Sequence, residues 1–397
     1  MWGRAAGLPP RLPVSLLAGP GRCCVLRAEA GTRKDLQARN RRGFSDYHPQ
    51  HLPDLGFEDL TSWIPKGRSD PKRYVTSRHL ANTVANIMQD KRQNRDQLLL
   101  EFNPGPGILT QALLETGVKV VALESDKAFI PHLESLRKIW NENLQVIHCD
   151  FFKLDPRNDD VVRPPVMLSH TLFQNLGIKP VHWTAGIPLK IIGVFPIKNE
   201  RNALWKLLYD LYACTSIYRY GRVELNIFIS EKEFQKLVAT PKTPDLYQVL
   251  SVLWQVACEI KVLHVEPLSS FNTFTEYGQL SQPKHKEPLH PKGENLYFIR
   301  MTPHINLFTE HLSPINYDIF FHMVKHCFGK RNATLIHHLH SLSSVDTVDI
   351  LKSMKEAKMK ITQIHPRQFK RLFEIVECSK GYTYKWLYDD SLEDVTI

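Results

Sequence analysis

The chain has no pair of cysteines at C-x-x-C spacing, and none of its seven cysteines clusters with histidine in a zinc-like pattern. Such usage is typical of free thiols in a reducing compartment, and it argues against a disulfide scaffold or a zinc module. No apolar run approaches the ~20 residues that a membrane-spanning helix requires, so we expect no membrane insertion. With 397 residues, 43% of them hydrophobic, the chain can bury a large core, and we expect two folded domains.

Acidic residues are scarce at the N-terminus, where none precedes Glu29 although arginines recur. The net charge of +10 is concentrated here, because residues 1–95 hold 17 lysines and arginines against 8 acidic residues. An arginine-rich, acid-poor leader that is broken by prolines and has no apolar centre resembles a mitochondrial transit peptide, although a plain basic tail has the same composition. We assign residues 1–45 to this leader and residues 46–70 to a flexible arm.

The stretch from Leu98 to Asp126 reads as strand, glycine-rich turn, helix and strand. Its first apolar run is typical of a strand that is buried on both faces. Gly105 and Gly107 then allow a tight turn and a close approach to a ligand, at the start of a helix whose free N–H groups can meet that ligand. Glu124 ends the second strand, about 20 residues after the turn, where Rossmann-type sites hold the two hydroxyls of a ribose.

The third glycine of the dinucleotide fingerprint is absent, because Thr110 occupies its position. No catalytic acid or base follows in order either, and both observations disfavour a nicotinamide-dependent oxidoreductase. The segment instead reads E-x-x-P-G-x-G-x-L-T, which resembles motif I of class I S-adenosylmethionine-dependent methyltransferases. That resemblance implies S-adenosyl-L-methionine as the cofactor, bound by Glu101, Gly105, Gly107 and Glu124.

Strand and helix patterns alternate after residue 70 and predict an α/β, Rossmann-like domain. Beyond the first strand at Leu98, we predict strands at 119–123, 144–148, 189–194, 223–229, 260–265 and 295–301. The predicted helices are 72–88, 108–115, 128–140, 202–220 and 245–258. Residues 156–187 read as an irregular insertion and 279–293 as a polar loop.

From residue 316 the pattern is only helical. The predicted helices are 316–328, 332–342, 346–357 and 366–379. We therefore divide the chain into a methyltransferase-like α/β domain at 71–305 and a smaller all-α domain, with an acidic tail, at 306–397.

The glycine turn, Asp150 after the third strand and the helical C-terminal region together resemble the ribosomal RNA adenine N6-dimethyltransferase family over about residues 70–380. The similarity is closest to its mitochondrial transcription factor B group, and there to the second, transcription-dedicated paralogue. In this family an acidic residue in the place of Asp150 contacts the adenine ring of the cofactor, and we favour that role over a carboxylate that caps a turn. The family leader Q-N-F-L-x-D corresponds to residues 72–77, K-R-Y-V-T-S, in which Val75 would line the cofactor pocket through its backbone.

The acceptor half of the family's site is altered. The family moves a methyl group from a sulfonium to the N6 amine of adenine, and an N-[LI]-P-[FY] segment after the fourth strand holds that amine and stacks on the base. The segment here is G-V-F-P-I at 193–197, which lacks the asparagine. Because a lost hydrogen bond to the amine removes its orientation, we expect weak or vestigial catalysis. The degenerate motif residues are Gly193, Phe195 and Pro196.

A basic cluster in the helical region matches the family segment that reads roughly A-F-x-Q-R-R-K-T-L. Residues 327–335 read C-F-G-K-R-N-A-T-L here, which predicts Lys330 and Arg331 at the start of a helix. With Lys325 they form a candidate phosphate clamp for nucleic acid, and solvated surface charges are the alternative. The histidine-rich stretch 337–340 has no accompanying carboxylate or cysteine, and we assign no metal.

The resemblance implies a mitochondrial transcription initiation factor that binds and melts promoter DNA, in the matrix and its nucleoids. Its implied partners are promoter DNA, the mitochondrial RNA polymerase and the mitochondrial HMG-box transcription factor A. The alternative is an active N6,N6-dimethyladenosine transferase that acts on mitochondrial small-subunit ribosomal RNA. Both functions permit S-adenosyl-L-methionine binding, and the altered segment at 193–197 favours the first.

Overall fold

The structure is a computed structural model, and it describes residues 72–89, 98–156, 165–274, 294–342, 354–379 and Trp386. The predicted leader, the arm, the polar loop, the acidic tail and most of the predicted helix 346–357 lie outside these residues. All of the described residues fall within one compact unit, Pro49–Ile397. None of the described helices is both long and apolar enough to span a membrane.

Strands and helices alternate in the order that the hydrophobic pattern predicts. The described strands are β1 (Lys72–Val75), β2 (Leu98–Phe102), β3 (Lys119–Glu124), β4 (Leu144–His148), β5 (Lys190–Val194), β6 (Glu224–Ser230), β7 (Cys258–Pro267), β8 (Phe271–Phe274) and β9 (Asn295–Pro303). The described α-helices are α1 (Arg78–Met88), α2 (Ile108–Glu115), α3 (Ile130–Trp140), α4 (Ser169–Asn175), α5 (Glu200–Tyr212), α6 (Glu231–Leu237), α7 (Val249–Ala257), α8 (Tyr317–Gly329), α9 (Leu335–Leu342) and α10 (Pro366–Cys378). This arrangement confirms the predicted α/β fold class.

Seven strands form the central sheet, in the order β4-β3-β2-β5-β6-β9-β7. Strands β2 to β6 are parallel to one another, whereas β9 runs antiparallel to both of its neighbours. The chain builds outward from β2 to β4 and then returns to the other side of β2 with β5. Open α/β sheets bind ligands outside the carboxyl ends of the strands at such a switch point, so the candidate site lies where β2 and β5 end.

Alternate residues of β2 enter two different cores. Leu100 and Phe102 pack in the larger core, whereas Leu99 packs in the core that also contains Leu109 of α2. A strand that is buried on both faces has no polar face, which explains the continuous apolar run at its start.

The helical C-terminal part packs directly on α7. Both α8 and α10 contact α7, and one continuous core contains Leu253 of α7, Phe320 of α8 and Phe373 of α10. The Tyr247 hydroxyl, just before α7, donates a hydrogen bond of 2.8 Å to the carbonyl of Ile364. The α/β part and the helical part of the described chain therefore share one core.

In two segments near the cleft, the observed secondary structure differs from the prediction. Residues 72–75 form strand β1, which pairs antiparallel with β8, and the predicted helix begins only at Arg78. The insertion that we predicted to be irregular contains the helix Ser169–Asn175. In the first case a Ser77 side chain that caps α1 sets the helix start, since it accepts from the N–H of Leu80 at 3.3 Å.

Other helices are also shorter than predicted. The helix predicted to reach residue 220 ends at Tyr212, because Cys214 and Ser216 both adopt a φ of +50° that a helix does not tolerate. The helix predicted from residue 332 begins at Leu335, so Lys330 and Arg331 lie in a turn after α8 and not at a helix start.

Candidate functional site

The glycine turn follows β2 at the switch point and requires glycine at two positions. Gly105 and Gly107 have φ angles of +59° and +74°, which favour glycine. A Cβ on Gly105 would lie 2.7 Å from Cγ of Tyr74, and a Cβ on Gly107 would lie 2.8 Å from Cδ1 of Leu136. The turn is therefore packed tightly between β1 on one side and α3 on the other.

The Glu124 carboxylate joins the end of β3 to the glycine turn. It is fully buried and accepts hydrogen bonds from the backbone N–H groups of Gly105, at 2.8 Å, and Asp126, at 2.7 Å. Burial raises the pKa of this carboxyl, and the two N–H groups and the charge of Lys72 partly oppose that shift. Glu124 thus lies beside the turn, where the sequence places it, and each of its oxygens already has at least one donor from the protein.

Glu101 contacts the helix that follows the turn. It is buried on β2 and accepts a hydrogen bond of 2.7 Å from the hydroxyl of Thr110 on α2. Burial raises the pKa of Glu101 to about 8, and the hydrogen bond from Thr110 opposes the rise. The threonine at the third glycine position therefore supplies the partner of a buried carboxyl, and direct contact of Glu101 with a cofactor stays a prediction.

Asp150 caps the 3₁₀ turn that follows β4. Its Oδ1 accepts from the N–H of Phe152 at 3.1 Å, and its Oδ2 lies 3.6 Å from Nζ of Lys153. This is the turn-capping role that we ranked second, and its contact with an adenine ring stays a prediction. Val75, at the end of β1, is buried in the smaller core together with Ile192 of β5.

The acceptor side of the cleft lies at the end of β5, and aromatic rings fill it. Gly193 is the parallel-ladder partner of Phe102, and a Cβ on Gly193 would lie 2.7 Å from three atoms of the Phe102 ring. Phe102 stacks on Phe151, with 4.8 Å between ring centroids, and contacts Phe152 and Phe195. Any side chain at position 193 would therefore overlap the Phe102 ring, whereas the motif asparagine, two residues before Pro196, corresponds to Val194.

The other degenerate motif residues do not present a stacking surface. Phe195 is only 1% exposed, and its ring meets Phe152 edge-to-face at 5.4 Å. Its backbone N–H donates to the carbonyl of Phe228 at 3.0 Å, which continues the strand pairing. Pro196 and Ile197 are half-buried. The altered acceptor segment predicted from the sequence therefore lies against a core of packed aromatic rings.

Sequence reasoning missed a buried charged pair beside this core. Arg73 on β1 is 7% exposed, and its Nε has no hydrogen-bond partner. Glu200, the first residue of α5, attracts Arg73 and accepts hydrogen bonds from the N–H of Ser230, at 3.1 Å, and from its hydroxyl. Burial lowers the pKa of Arg73 and raises that of Glu200 to about 7. In the sequence, the signal for this pair was Arg73 itself, which occupies the place of the asparagine in the family leader Q-N-F-L-x-D.

The three predicted nucleic-acid residues have different surroundings. Lys325 is half-buried, with Nζ 5.6 Å from the ring centroid of Trp205 and 3.5 Å from the hydroxyl of Tyr209, and burial lowers its pKa to about 8. Lys330 is exposed. The Arg331 guanidinium donates to the backbone carbonyls of two residues before α7, Pro244 and Tyr247. The described contacts therefore do not join them into one clamp, and their contact with nucleic acid stays a prediction.

The strand order, the glycine turn and the carboxylate at the end of β3 define the fold of a class I S-adenosylmethionine-dependent methyltransferase. The model of the family described as ribosomal RNA adenine dimethylase matches residues 67–377. The chain belongs to this ribosomal RNA adenine dimethylase family.

Curated relatives agree with this assignment. The chain is 58% identical, over 395 residues, to the dimethyladenosine transferase 2, mitochondrial, of Rattus norvegicus, with 99% of both chains covered. The Homo sapiens protein of the same name is also 58% identical, with 99% of this chain and 100% of that protein covered. These relatives confirm the predicted resemblance to the family and to its second mitochondrial paralogue.

More distant relatives share the fold. The ribosomal RNA small subunit methyltransferase A of Clostridioides difficile (strain 630) is 25% identical over 283 residues, which are 70% of this chain and 79% of that protein. The crystal structure of a dimethyladenosine transferase from Plasmodium falciparum superposes with a TM-score of 0.50 over 75% of this chain and 95% of that chain. Its sequence identity of 14% limits that likeness to the fold.

Replacing Glu101 with glutamine should make the folding stability less dependent on pH. The folded pKa of about 8 lies above the unfolded value of ~4.3, so the folded state binds more protons between these values. The free energy of unfolding therefore falls as pH rises through that window. Glutamine still accepts from Thr110 but does not titrate, so the Tm of Glu101→Gln should fall less between pH 5 and pH 8 than that of the unchanged chain. Equal pH slopes in thermal unfolding would show that Glu101 ionises normally.

Replacing Gly193 with asparagine should destabilise the fold by about 1 to 3 kcal/mol, because the new side chain overlaps the Phe102 ring in a packed core. The double variant that adds Phe102→Leu should recover part of this loss, since leucine vacates the ring position. Urea unfolding of both single variants and the double variant measures the coupling between the two sites. Additive effects would mean that the two side chains do not compete for space.

Proposed function

We propose that this chain is a mitochondrial transcription initiation factor, which binds and melts promoter DNA together with the mitochondrial RNA polymerase. The proposal includes a location in the matrix nucleoids and the mitochondrial HMG-box transcription factor A as a further partner. The word mitochondrial in the names of the 58% identical relatives supports the compartment. S-adenosyl-L-methionine is the proposed ligand of the cleft at the glycine turn.

The loss of the motif asparagine, whose place two residues before Pro196 is taken by Val194, carries this proposal. Methyl transfer to adenine needs a base that is extruded into the site with its amine held in line. Val194 is a buried aliphatic residue and has no side-chain amide that could hold that amine. A nucleic-acid-binding fold that has lost this group is better suited to hold a strand than to modify it, and we expect weak or vestigial methylation.

The surface that α5 and α8 share supports nucleic-acid binding. Lys325 lies over the face of Trp205 and beside the hydroxyl of Tyr209. Proteins that bind single strands combine cationic side chains for the phosphates with aromatic rings for the bases. A melted promoter strand presents both its phosphates and its bases, because the bases are unpaired.

A run-off transcription assay tests the proposal with purified mitochondrial RNA polymerase, with and without this chain. Each reaction uses duplex promoter DNA and, in parallel, the same DNA with a pre-melted start site. A melting factor should be required on the duplex and dispensable on the pre-melted template. Transcription of the duplex that does not depend on the chain would overturn the proposal.

The second candidate is a dimethyladenosine transferase that acts on mitochondrial small-subunit ribosomal RNA. The retained glycine turn and the Glu124 carboxylate beside it favour this function, because they are the groups predicted to bind the cofactor. Transfer of labelled methyl groups to that RNA would support it. A negative result with an active family member run in parallel would leave transcription as the function.

The neighbouring residues Lys330 and Arg331 should have separable effects on DNA binding and on stability. Lys330→Ala should weaken DNA binding and reduce the salt slope of log K by about 1, because one exposed phosphate contact is lost. Arg331→Ala should instead destabilise the fold by about 1 to 2 kcal/mol, because the carbonyls of Pro244 and Tyr247 lose their donor.

Fluorescence anisotropy at several salt concentrations and urea unfolding measure the two effects. Lys261→Ala is the matched control, since Lys261 is an exposed lysine on β7 that pairs with Glu259 at 2.9 Å. An unchanged salt slope in Lys330→Ala would mean that this charge is only solvated.

A further inference from the structure

The turn after α8 carries less charge than the family segment that it matches. That segment reads roughly A-F-x-Q-R-R-K-T-L, and the places of its second arginine and its lysine are taken here by Asn332 and Ala333. Arg331 keeps the first arginine, but its guanidinium donates to two backbone carbonyls before α7. Lys330 is exposed, and it is therefore the basic residue of this turn that remains for a ligand.

A second segment lies against this turn and supplies lysines. Residues 355–360 read K-E-A-K-M-K, and Thr334 and Lys360 form an antiparallel bridge. Beside the bridge, the N–H of Ile361 donates a hydrogen bond of 3.2 Å to the carbonyl of Ala333. Lys360 therefore lies next to the positions that lack charge, although it comes from a distant part of the chain.

The lysines of the two segments face solvent. Lys330, Lys355, Lys358 and Lys360 are all exposed, and none of them forms an ion pair within the part of the chain that the structure describes. The one carboxylate of the second segment, Glu356, is half-buried and accepts a hydrogen bond of 2.7 Å from a glutamine of α10. Four exposed cations and one partnered carboxylate give this surface a positive potential, which attracts anions.

The surface presents charge without aromatic rings. Neither residues 329–334 nor residues 354–363 include an aromatic side chain. Proteins that hold unpaired strands add rings on which the bases stack, and Trp205 beside Lys325 provides such a ring elsewhere in this chain. Lysines alone contact phosphates and read no bases. The ligand that fits this surface is therefore the backbone of a duplex, whose bases are stacked inside.

We propose that Lys330, Lys358 and Lys360 form a phosphate-binding surface for duplex nucleic acid, in which two lysines of the second segment replace the basic residues that the turn lacks. This inference rests on the proposed function for its ligand. It adds to the strand-binding surface at Trp205 a separate surface that holds the duplex. Each lysine that neutralises a phosphate releases counterions, so the salt dependence of binding counts these contacts.

Fluorescence anisotropy of the full chain with a duplex DNA, at several salt concentrations, tests the surface. Lys358→Ala/Lys360→Ala should reduce the salt slope of log K by about 2 and weaken binding about tenfold at low salt, because two phosphate contacts are lost. The loss should be equal on a second duplex of different sequence, because no base is read. Lys358→Arg/Lys360→Arg should bind like the unchanged chain, since both charges remain.

Lys119→Ala/Lys138→Ala is the matched control, because these exposed lysines lie on β3 and α3, near the β4 edge of the sheet. It should keep the salt slope of the unchanged chain. The unpaired strand of the same DNA should lose less affinity than the duplex, because the surface at Trp205 still holds it. If circular dichroism shows that the double alanine variant does not fold, Lys358→Ala alone leaves the bridge residue intact and should reduce the slope by about 1.

A duplex salt slope that is unchanged in the folded alanine variants, or that falls equally in the control, overturns the proposal. A loss that appears with duplex RNA of the same sequence, but not with duplex DNA, supports the phosphate-binding surface and counts against promoter DNA as its ligand. The run-off assay reports on promoter melting by itself, so the two proposals can fail separately.

Discussion

The hydrogen bond between the Glu124 carboxylate and the Gly105 N–H ties the end of β3 to the turn after β2, and the geometry of the cleft depends on it. A buried carboxylate must have donors, and the turn supplies one because residue 105 adopts a positive φ. The absence of a Cβ on the same residue lets the Tyr74 ring pack against it. One glycine therefore positions the carboxylate that would bind a ribose and also allows the close packing of the Tyr74 ring.

The two halves of the cleft have diverged to different degrees. The half below the glycine turn keeps the residue types of a class I methyltransferase, with Glu124 beside Gly105. In the other half, Gly193 and Phe102 fit together as a small residue against a large one, and the cluster of buried rings continues into Phe151 and Phe195. A side chain at 193 would require a smaller residue at 102, because these two positions pack on each other.

Three carboxylates are buried along the cleft. Glu101, Glu124 and Glu200 are each at most 7% exposed, and each accepts at least one hydrogen bond from the protein. Arg73 is buried beside them with an unpartnered Nε. Burial of such groups costs free energy unless they are paired, and the hydrogen bonds that the carboxylates accept offset that cost. The strand that carries Arg73 is the same strand that covers the glycine turn.

The local sequence determined the α/β class, the seven strands of the central sheet, the glycine turn and the position of Glu124 at a strand end. Each of these depends on residues close in the chain, through hydrophobic period, glycine conformation and the spacing of a βαβ unit. The missing asparagine of the segment 193–197 was also visible, because it is a departure from a short motif.

The tertiary structure decided what fills the vacated places. Four such relations join residues from distant parts of the chain. Phe102 takes the space at Gly193, and Tyr74 lies on Gly105. Arg73 is attracted to Glu200, and Arg331 binds carbonyls before α7. Local patterns also placed residues 72–75 in a helix, although pairing with β8 makes them a strand. Such contacts arise only when strands adjoin and side chains compete for one volume, and the period of a sequence carries no information about that competition.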